Sequence, residues 1–253
     1  MARAAASGIT VLSITDHDTT AGLAEARATA GRHGVRLVDG VEITAVENDR
    51  DVHMLGYFVD PGDAALAAFL DRQRADRVRR VKEIARRLEA LGCAIDHEAL
   101  LATAGTNAGR SIGRPQLAQA LVAAGHARDH NDAFDRLLGS HAPAFVPRRG
   151  ASPDEVIDVV CRAGGIASVA HPGLTDVDRI IPRLAAAGLT ALEARHSDHD
   201  AETEQRYRDL AARHGLAVSG GSDFHGDSGH RIPMLGVITL PAADFAALEA
   251  RRR

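Results

Sequence analysis

The sequence is poor in aromatic residues. Aromatic side chains make up only 3% of the 253 residues and tryptophan is missing, whereas hydrophobic residues reach 45%. The core must therefore be built from alanine, leucine, valine and isoleucine, which is ordinary for α/β proteins. The length suits one large α/β domain, or a medium domain with an insertion.

Cysteine is equally scarce. The only two, Cys93 and Cys161, are far apart and form no C-x-x-C pair, so neither a disulfide framework nor a thiolate zinc site is indicated, and a reducing cytoplasm is the expected location. No apolar run approaches the roughly 18 residues of a membrane span. The N-terminal MARAAASGIT also has no apolar signal core, so we predict neither a membrane span nor a secretory signal.

Positive charge is not in excess. The formal net charge of −4 excludes a general polyanion-binding surface, and duplex nucleic acid is not an expected partner. A local cluster of arginines could still hold a phosphate.

Short apolar runs alternate with helical patterns along most of the chain. ITVLSI, VRLVDGVEI, GIASVAH and LTALEA are typical of strands, and alanine- and arginine-rich segments between them are typical of helices that end at glycine, at Gly34, Gly164, Gly188 and Gly215. This alternation predicts βα units around a parallel sheet, and we favour a barrel.

The pattern changes in the middle of the chain. Residues 64–146 are mostly helical in pattern and contain no convincing strand. Val78, Val81, Ile84, Leu88 and Leu91 repeat at helical spacing up to Gly92, and PQLAQALVAAG starts another helix with Pro115 in its first turn. We therefore predict a helical subdomain at 64–146, inserted in a β/α barrel formed by residues 1–63 and 147–253.

Histidines and acids follow the predicted strands. His17 and Glu42 are in ITDHDT and DGVEIT, His53 is in DVHML, and SVAHPG and GSDFHG hold His171, Asp223 and His225. In a parallel barrel the carboxyl ends of the strands open on one face, where such residues would converge. Four imidazoles and two carboxylates suit Zn²⁺, Mn²⁺ or Fe²⁺, and six ligands are too many for a single four-coordinate ion. The set predicts a hydrolytic centre with two or more ions.

Simpler explanations exist for single residues. A lone D-H-D could be a helix cap beside a solvated histidine, but six such residues as a set favour a metal centre. The arginine run of residues 72–80, which alternates with Asp71 and Asp76, is typical of a solvated helix face with i,i+4 pairs, and we expect that structural role for Arg72, Arg74, Arg77, Arg79 and Arg80.

Five motifs occur in a characteristic order: TDHDT, GVEIT, HMLGY, AHPG and GSDFHG, with the helical segment after the third. In this the chain resembles the polymerase and histidinol phosphatase (PHP) superfamily, and more narrowly its small phosphoesterases that act on nucleoside bisphosphates, mononucleotides and short RNA ends. SIGRPQLAQALVAAG and AFDRLLG are similar to the same branch. The resemblance implies a distorted PHP-type β/α barrel and a metal-dependent phosphoesterase.

The resemblance also implies roles for individual residues. Glu42 would bridge two ions, and Mn²⁺ is the expected metal, with Fe²⁺ and Zn²⁺ as alternatives and two or three ions in a complete family site. Arg114 and Arg110 would face the substrate phosphate, a role that suits arginine because its planar fork can donate two hydrogen bonds to a phosphate. His199 and His196 compete for a place near that phosphate. The implied metal ligands are His17, Glu42, His53, His171, Asp223 and His225, of which His17, Glu42 and Asp223 are the predicted catalytic residues.

One family motif has no counterpart. A His-x-His pair on the first barrel strand should precede the first helix, and ARAAASG resembles only the end of that helix. We expect a mis-assigned start or a shortened chain, with a barrel incomplete at its N-terminus and fewer ions. The predicted substrate is a nucleotide or a short oligonucleotide end. Two alternatives stay open: a non-catalytic nucleotide- and metal-binding module, and a metal hydrolase of C–N bonds, which the GRP arginine disfavours.

Overall fold

A single curled sheet of six strands organises the chain. The computed structural model describes residues 1–106, 111–226 and 232–252. The spatial order of the strands is their sequence order, β1 to β6. The strands are β1 Val11–Ile14, β2 Arg36–Glu47, β3 Arg50–Tyr57, β4 Ile166–Val169, β5 Ala191–His196 and β6 Ala217–Gly221.

The sheet is mixed, and the prediction of a parallel sheet is wrong in this respect. β1–β2, β4–β5 and β5–β6 are parallel, but β3 is antiparallel to both of its neighbours. The cause is the tight turn at Asn48 and Asp49, whose φ angles of 49° and 62° are the left-handed values of a two-residue hairpin. β3 therefore runs back along β2 instead of crossing over through a helix.

The two edges of the sheet, β1 and β6, face a common cavity of about 1550 Å³. The fold is a mixed α/β half-barrel, which confirms the predicted class. Within the part of the chain that the structure describes, no helix is both long and apolar enough to cross a membrane.

Helices cover the outside of the sheet. The start of α7 is determined by its local sequence. Ser152 and Glu155 form a reciprocal capping box around Pro153 at the first helical position. Its apolar face packs into the main core against the sheet. The helices are α1 Ala2–Ala6, α2 Leu23–Ala30, α3 Ala64–Ala90, α4 His97–Thr106, α5 Arg114–Ala123, α6 His130–Ala133, α7 Pro153–Arg162, α8 Ile181–Ala186, α9 Ala201–Arg213 and α10 Ala242–Glu249.

The long helix α3 joins two cores. Asp63 caps its N-terminus by accepting from the Leu66 N–H at 2.7 Å. The first turns pack Leu66 and Leu70 into the main core, whereas Ile84 and Leu88 lie in a second core made entirely by residues between 81 and 146. The described part of 64–146 is helical, with Pro115 in the first turn of α5 as expected. The division into a barrel and a subdomain stays a prediction.

Candidate metal centre

Backbone hydrogen bonds join the D-H-D turn to the middle of β2. Asp18 N–H donates to the Glu42 carbonyl at 2.7 Å, and Glu42 N–H donates to the Asp16 carbonyl at 3.1 Å. His17 thereby forms a parallel bridge with Glu42. The His17 imidazole reaches the Glu42 carboxylate, with 3.5 Å between Nδ1 and Oε2.

Two further histidines converge on the other oxygen of Glu42. His53 Nδ1 lies 2.8 Å and His171 Nε2 lies 3.5 Å from Oε1. His53 is directly opposite Thr44 in the β2–β3 ladder, so it shares a sheet face with Glu42, two residues from Thr44. Both Glu42 and His53 are inside strands. The expectation that every site residue ends or closely follows a strand is wrong for these two, because β2 continues past Glu42 to Glu47 and β3 then runs back along it with His53 in mid-strand.

The charges at this cluster are strongly coupled. Burial raises the pKa of Glu42, but the charges of His17 and His53 and hydrogen bonds from His171 and His53 outweigh burial and hold that pKa well below its usual value. Burial lowers the pKa of His17 to about 4. For His171, burial lowers the pKa, but contact with Glu42 prevails and the pKa is raised.

The donor set fits a divalent transition metal. Ligand atoms of His17, Glu42 and His53 all lie within 4.8 Å of one another. Buried ring nitrogens of His17, His171 and His196 have no hydrogen-bond partner among the described residues. Buried polar atoms are normally satisfied. Two of these nitrogens lie 3.5 Å from a carboxylate, His17 Nδ1 from Glu42 and His196 Nε2 from Asp223, an arrangement that suits a metal site, for which neutral imidazole is the usual donor.

A second group of ligand types lies beside the first. Asp223 follows β6 with φ 47°, and its carboxylate is 3.4 Å from His225 Nδ1 and 3.5 Å from His196 Nε2. The rings of His17 and His225 are 6.4 Å apart, which connects the two groups. His17, Glu42, His171, Asp223 and His225 line the large cavity together.

Known proteins are similar to this chain in sequence and in fold. No family model matches the chain. The chain is 35% identical to the 3′,5′-nucleoside bisphosphate phosphatase of Chromobacterium violaceum over 228 residues, which are 88% of this chain and 79% of that protein. It is 33% identical to the 5′-3′ exoribonuclease Rnm of Salmonella typhimurium, over 88% of this chain and 78% of that enzyme. The chain belongs to the PHP family of phosphoesterases.

Solved structures share the fold of this chain. A Bifidobacterium adolescentis protein assigned as a metal-dependent phosphoesterase is 34% identical, with a TM-score of 0.89 over 100% of this chain and 89% of that one. A Chromobacterium violaceum amidohydrolase with bound sulfate is 35% identical, with a TM-score of 0.82 over 99% and 89% of the two chains. This PHP protein is accordingly a hydrolase with a phosphoesterase fold.

The two histidines predicted near the phosphate are both engaged elsewhere. His199 Nδ1 is 2.8 Å from the Ala194 carbonyl, and its Nε2 accepts from the Gly173 N–H at 3.2 Å. Its ring has no nitrogen left for a phosphate in this arrangement. The fully buried His196 accepts from the Asp198 N–H through Nδ1, which leaves Nε2 to face Asp223. His196 therefore lies beside Asp223 and not at a free position near a phosphate.

Sequence reasoning missed Glu193. This carboxylate is only 5% exposed and accepts from the His171 N–H at 2.7 Å. The His171 backbone has φ 28°, a sparsely populated value for a residue with a side chain, so Glu193 stabilises a strained turn that aims the imidazole at Glu42. Burial raises the pKa of Glu193 to about 7. The sequence feature that could have indicated Glu193 is an acidic residue within the otherwise apolar run LTALEA.

Arginines of α3 also point inward. Arg77 and Arg80 are 6% and 4% exposed, so the expected solvated helix face is wrong for these two. Arg77 contacts Asp18 and Thr44, and Arg74 donates to the Asp18 carbonyl at 2.7 Å. Arg72, by contrast, is exposed. The helical spacing of the arginines does not show which acidic residues α3 contacts in the folded chain.

Arg114 begins α5 and packs between two aromatic rings. Its guanidinium carbon is 5.7 Å from the ring centroids of both Phe134 and Phe145. Its NH2 nitrogen is 3.3 Å from the Asp51 carboxylate. Arg110, the other predicted phosphate contact, lies outside the described residues.

Proposed function

We propose that this chain hydrolyses phosphate esters of nucleotides or oligonucleotide ends with the help of divalent metal ions. The observation that carries the proposal is the Glu42 carboxylate, which has His53 and His171 at one oxygen and His17 at the other. Relatives named for nucleoside bisphosphate and RNA chemistry support the substrate class.

The position of each residue indicates its role in the proposed site. Glu42 has His17 at one carboxylate oxygen and His53 and His171 at the other, so these four residues would hold the metal ions. Asp223 and His225 would supply further ligands, and His196 Nε2 lies 3.5 Å from the Asp223 carboxylate. Bound ions would lower the pKa of a water molecule to produce hydroxide and would offset charge on the phosphoryl oxygens. The mixed imidazole and carboxylate donors are compatible with Mn²⁺, Fe²⁺ or Zn²⁺, and the family resemblance favours Mn²⁺ among them.

Substrate phosphate would be held by Arg114. Its guanidinium is 21% exposed and lies at the first residue of α5, where backbone N–H groups also favour an anion. Arginine can donate two parallel hydrogen bonds to a phosphate. We do not extend this role to His199, whose ring nitrogens contact backbone groups.

The decisive experiment separates metal binding from turnover. Protein purified without chelator is analysed for bound metals and then assayed for phosphate release from a 3′,5′-nucleoside bisphosphate, and for mononucleotide release from a 5′-phosphorylated oligoribonucleotide, with Mn²⁺, Fe²⁺ or Zn²⁺. We expect metal-dependent product release that Glu42→Gln abolishes. Metal and nucleotide binding without turnover of either substrate would favour the non-catalytic binding module.

A further inference from the structure

The backbone turn that carries His171 is strained. His171 has φ 28° and ψ 56°, left-handed values that are costly for a residue with a side chain. The following Pro172 adds to the cost, because a residue before proline favours extended backbone. Such strain persists only where the surrounding structure holds it. The contacts that hold residues 171–173, the His171 turn, therefore decide where the imidazole points.

Two side chains bind the N–H groups of the His171 turn. Pro172 has no N–H, so only His171 and Gly173 can donate. The His171 N–H donates to the Glu193 carboxylate at 2.7 Å, and the Gly173 N–H donates to Nε2 of His199 at 3.2 Å. Glu193 is on β5 and His199 is three residues beyond its end. Both backbone donors of the turn are thus bound from one short part of the chain.

The surroundings of His199 make it a well-defined acceptor. Its Nδ1 lies 2.8 Å from the Ala194 carbonyl. A carbonyl can only accept, so Nδ1 carries the proton, and Nε2 of the neutral ring accepts. The ring also stacks on Tyr207 of α9, with 5.6 Å between the ring centroids. Contacts with β5 and α9 therefore fix the imidazole that meets the Gly173 N–H.

Gly173 allows this close approach because it has no side chain. A Cβ atom at this position would lie 2.7 Å from His199 Nε2 and 2.9 Å from Thr203 Cγ2. Both distances are shorter than the roughly 3.5–4.0 Å at which non-bonded atoms pack. Glycine is the residue that permits backbone to come so near a neighbouring group. The glycine of AHPG is therefore matched to the imidazole of His199.

We propose that His199 acts together with Glu193 as a positioning residue of the metal centre, and that the two hold the His171 turn so that its imidazole faces Glu42. Groups that orient metal ligands typically contribute about 10- to 100-fold to metal affinity or activity. The effect on metal binding rests on the proposed function, whereas the contact between His199 and the turn does not. This role differs from a contact with the substrate phosphate.

The test compares two substitutions of His199 in the whole chain. His199→Phe keeps a ring for Tyr207 but has no acceptor, whereas the amide oxygen introduced by His199→Gln can accept from the Gly173 N–H. Calorimetric titration of metal-free protein with Mn²⁺ should show about tenfold weaker binding for His199→Phe and binding close to that of the parent for His199→Gln. Ser168→Ala is the matched control, because it removes a buried hydroxyl of β4 that bonds to Ser219 at 2.8 Å. It should keep the parent's affinity.

Two further measurements separate positioning from other roles. Amide hydrogen exchange at Gly173 in metal-free protein should be faster in His199→Phe than in the parent, and unchanged in Ser168→Ala. AMP binding to metal-free protein should be equal in His199→Phe and the parent, because a positioning residue does not touch the phosphate. Weaker AMP binding with unchanged Mn²⁺ affinity would assign His199 to the substrate phosphate and overturn the proposal.

Unchanged Mn²⁺ affinity in folded His199→Phe, or equal losses in His199→Phe and His199→Gln, would also overturn it. Should His199→Phe not fold, Gly173→Ala displaces the imidazole from the other side and should weaken Mn²⁺ binding in the same way. Affinity equal to that of the parent in Gly173→Ala would then contradict the proposal. A parent chain that binds none of Mn²⁺, Fe²⁺ and Zn²⁺ would contradict the proposed function, whereas amide exchange at Gly173 would still show whether His199 holds the turn.

Discussion

Asp18 and Arg77 form a buried ion pair between the D-H-D turn and α3. Arg77 Nε donates to Asp18 Oδ2 at 2.5 Å, and Asp18 Oδ1 accepts from the Thr44 N–H at 3.1 Å. Asp18 has no exposed surface and a φ of 54°. The pair therefore stabilises the strained backbone at Asp18, directly after His17. It also links helix α3 to the candidate metal centre.

Removing Arg77 should strongly destabilise the protein. Arg77→Met leaves the Asp18 carboxylate buried and unpaired, and such changes cost about 3–5 kcal/mol of unfolding free energy. Urea unfolding measures the loss. The exposed Arg72 on the same helix is the control, and Arg72→Met should stay within about 0.5 kcal/mol. An equal effect of the two substitutions would show that the ion pair is not what holds the turn.

Glu42 should be essential for metal binding. Glu42→Gln keeps the shape but removes the charge that His17, His53 and His171 surround, so we expect the bound metal, measured by elemental analysis after dialysis, to fall well below that of the parent protein. His33→Gln, at an exposed histidine, should retain the metal. Full retention by Glu42→Gln would place the metal elsewhere.

Arg114 should matter for both binding and stability. Arg114→Ala loses a charged hydrogen bond to phosphate and should weaken AMP binding by about 1.5–3 kcal/mol. The contacts of Arg114 with Phe134, Phe145 and Asp51 also predict a lower free energy of unfolding for the variant. Calorimetry and urea unfolding give the two numbers. Undiminished AMP affinity would remove Arg114 from the phosphate site.

Glu193 should give metal-free protein a pH-dependent stability. Burial raises its pKa from 4.5 to about 7, so between these values the folded state binds more protons than the unfolded state. The contribution of Glu193 to the unfolding free energy is then complete below about pH 4.5 and falls as pH rises to about 7, by roughly 3 kcal/mol.

His17, whose pKa is lowered to about 4, acts in the opposite direction over an overlapping range, so the comparison must be made between parent and Glu193→Gln. We expect the difference between their urea-unfolding curves to change between pH 4.5 and 7, and exposed Glu202→Gln to produce no such change. A difference independent of pH would contradict the raised pKa of Glu193.

Many structural features of this protein are determined by short stretches of its sequence. The alternation of strands and helices, the turn glycines, the capping of α7 and the helical stretch in the middle follow from local periodicity and local hydrogen bonds. The motif residues were recognisable because imidazole and carboxylate groups interrupt apolar runs. His17, Glu42, His53, His171, Asp223 and His225 could all be named from the sequence. The structure places five of them around one cavity and the sixth, His53, against Glu42.

Other features depend on partners that are far away along the chain. The hairpin at Asn48 reverses β3 and brings His53 to the site from mid-strand. Arg77 and Arg80 look like surface residues until Asp18 and Asp51 meet them from the sheet. His199 loses its expected role because two backbone groups occupy its nitrogens. In each case burial and pairing decide what a charged or polar group does, and these depend on tertiary contacts that helical or strand periodicity does not contain.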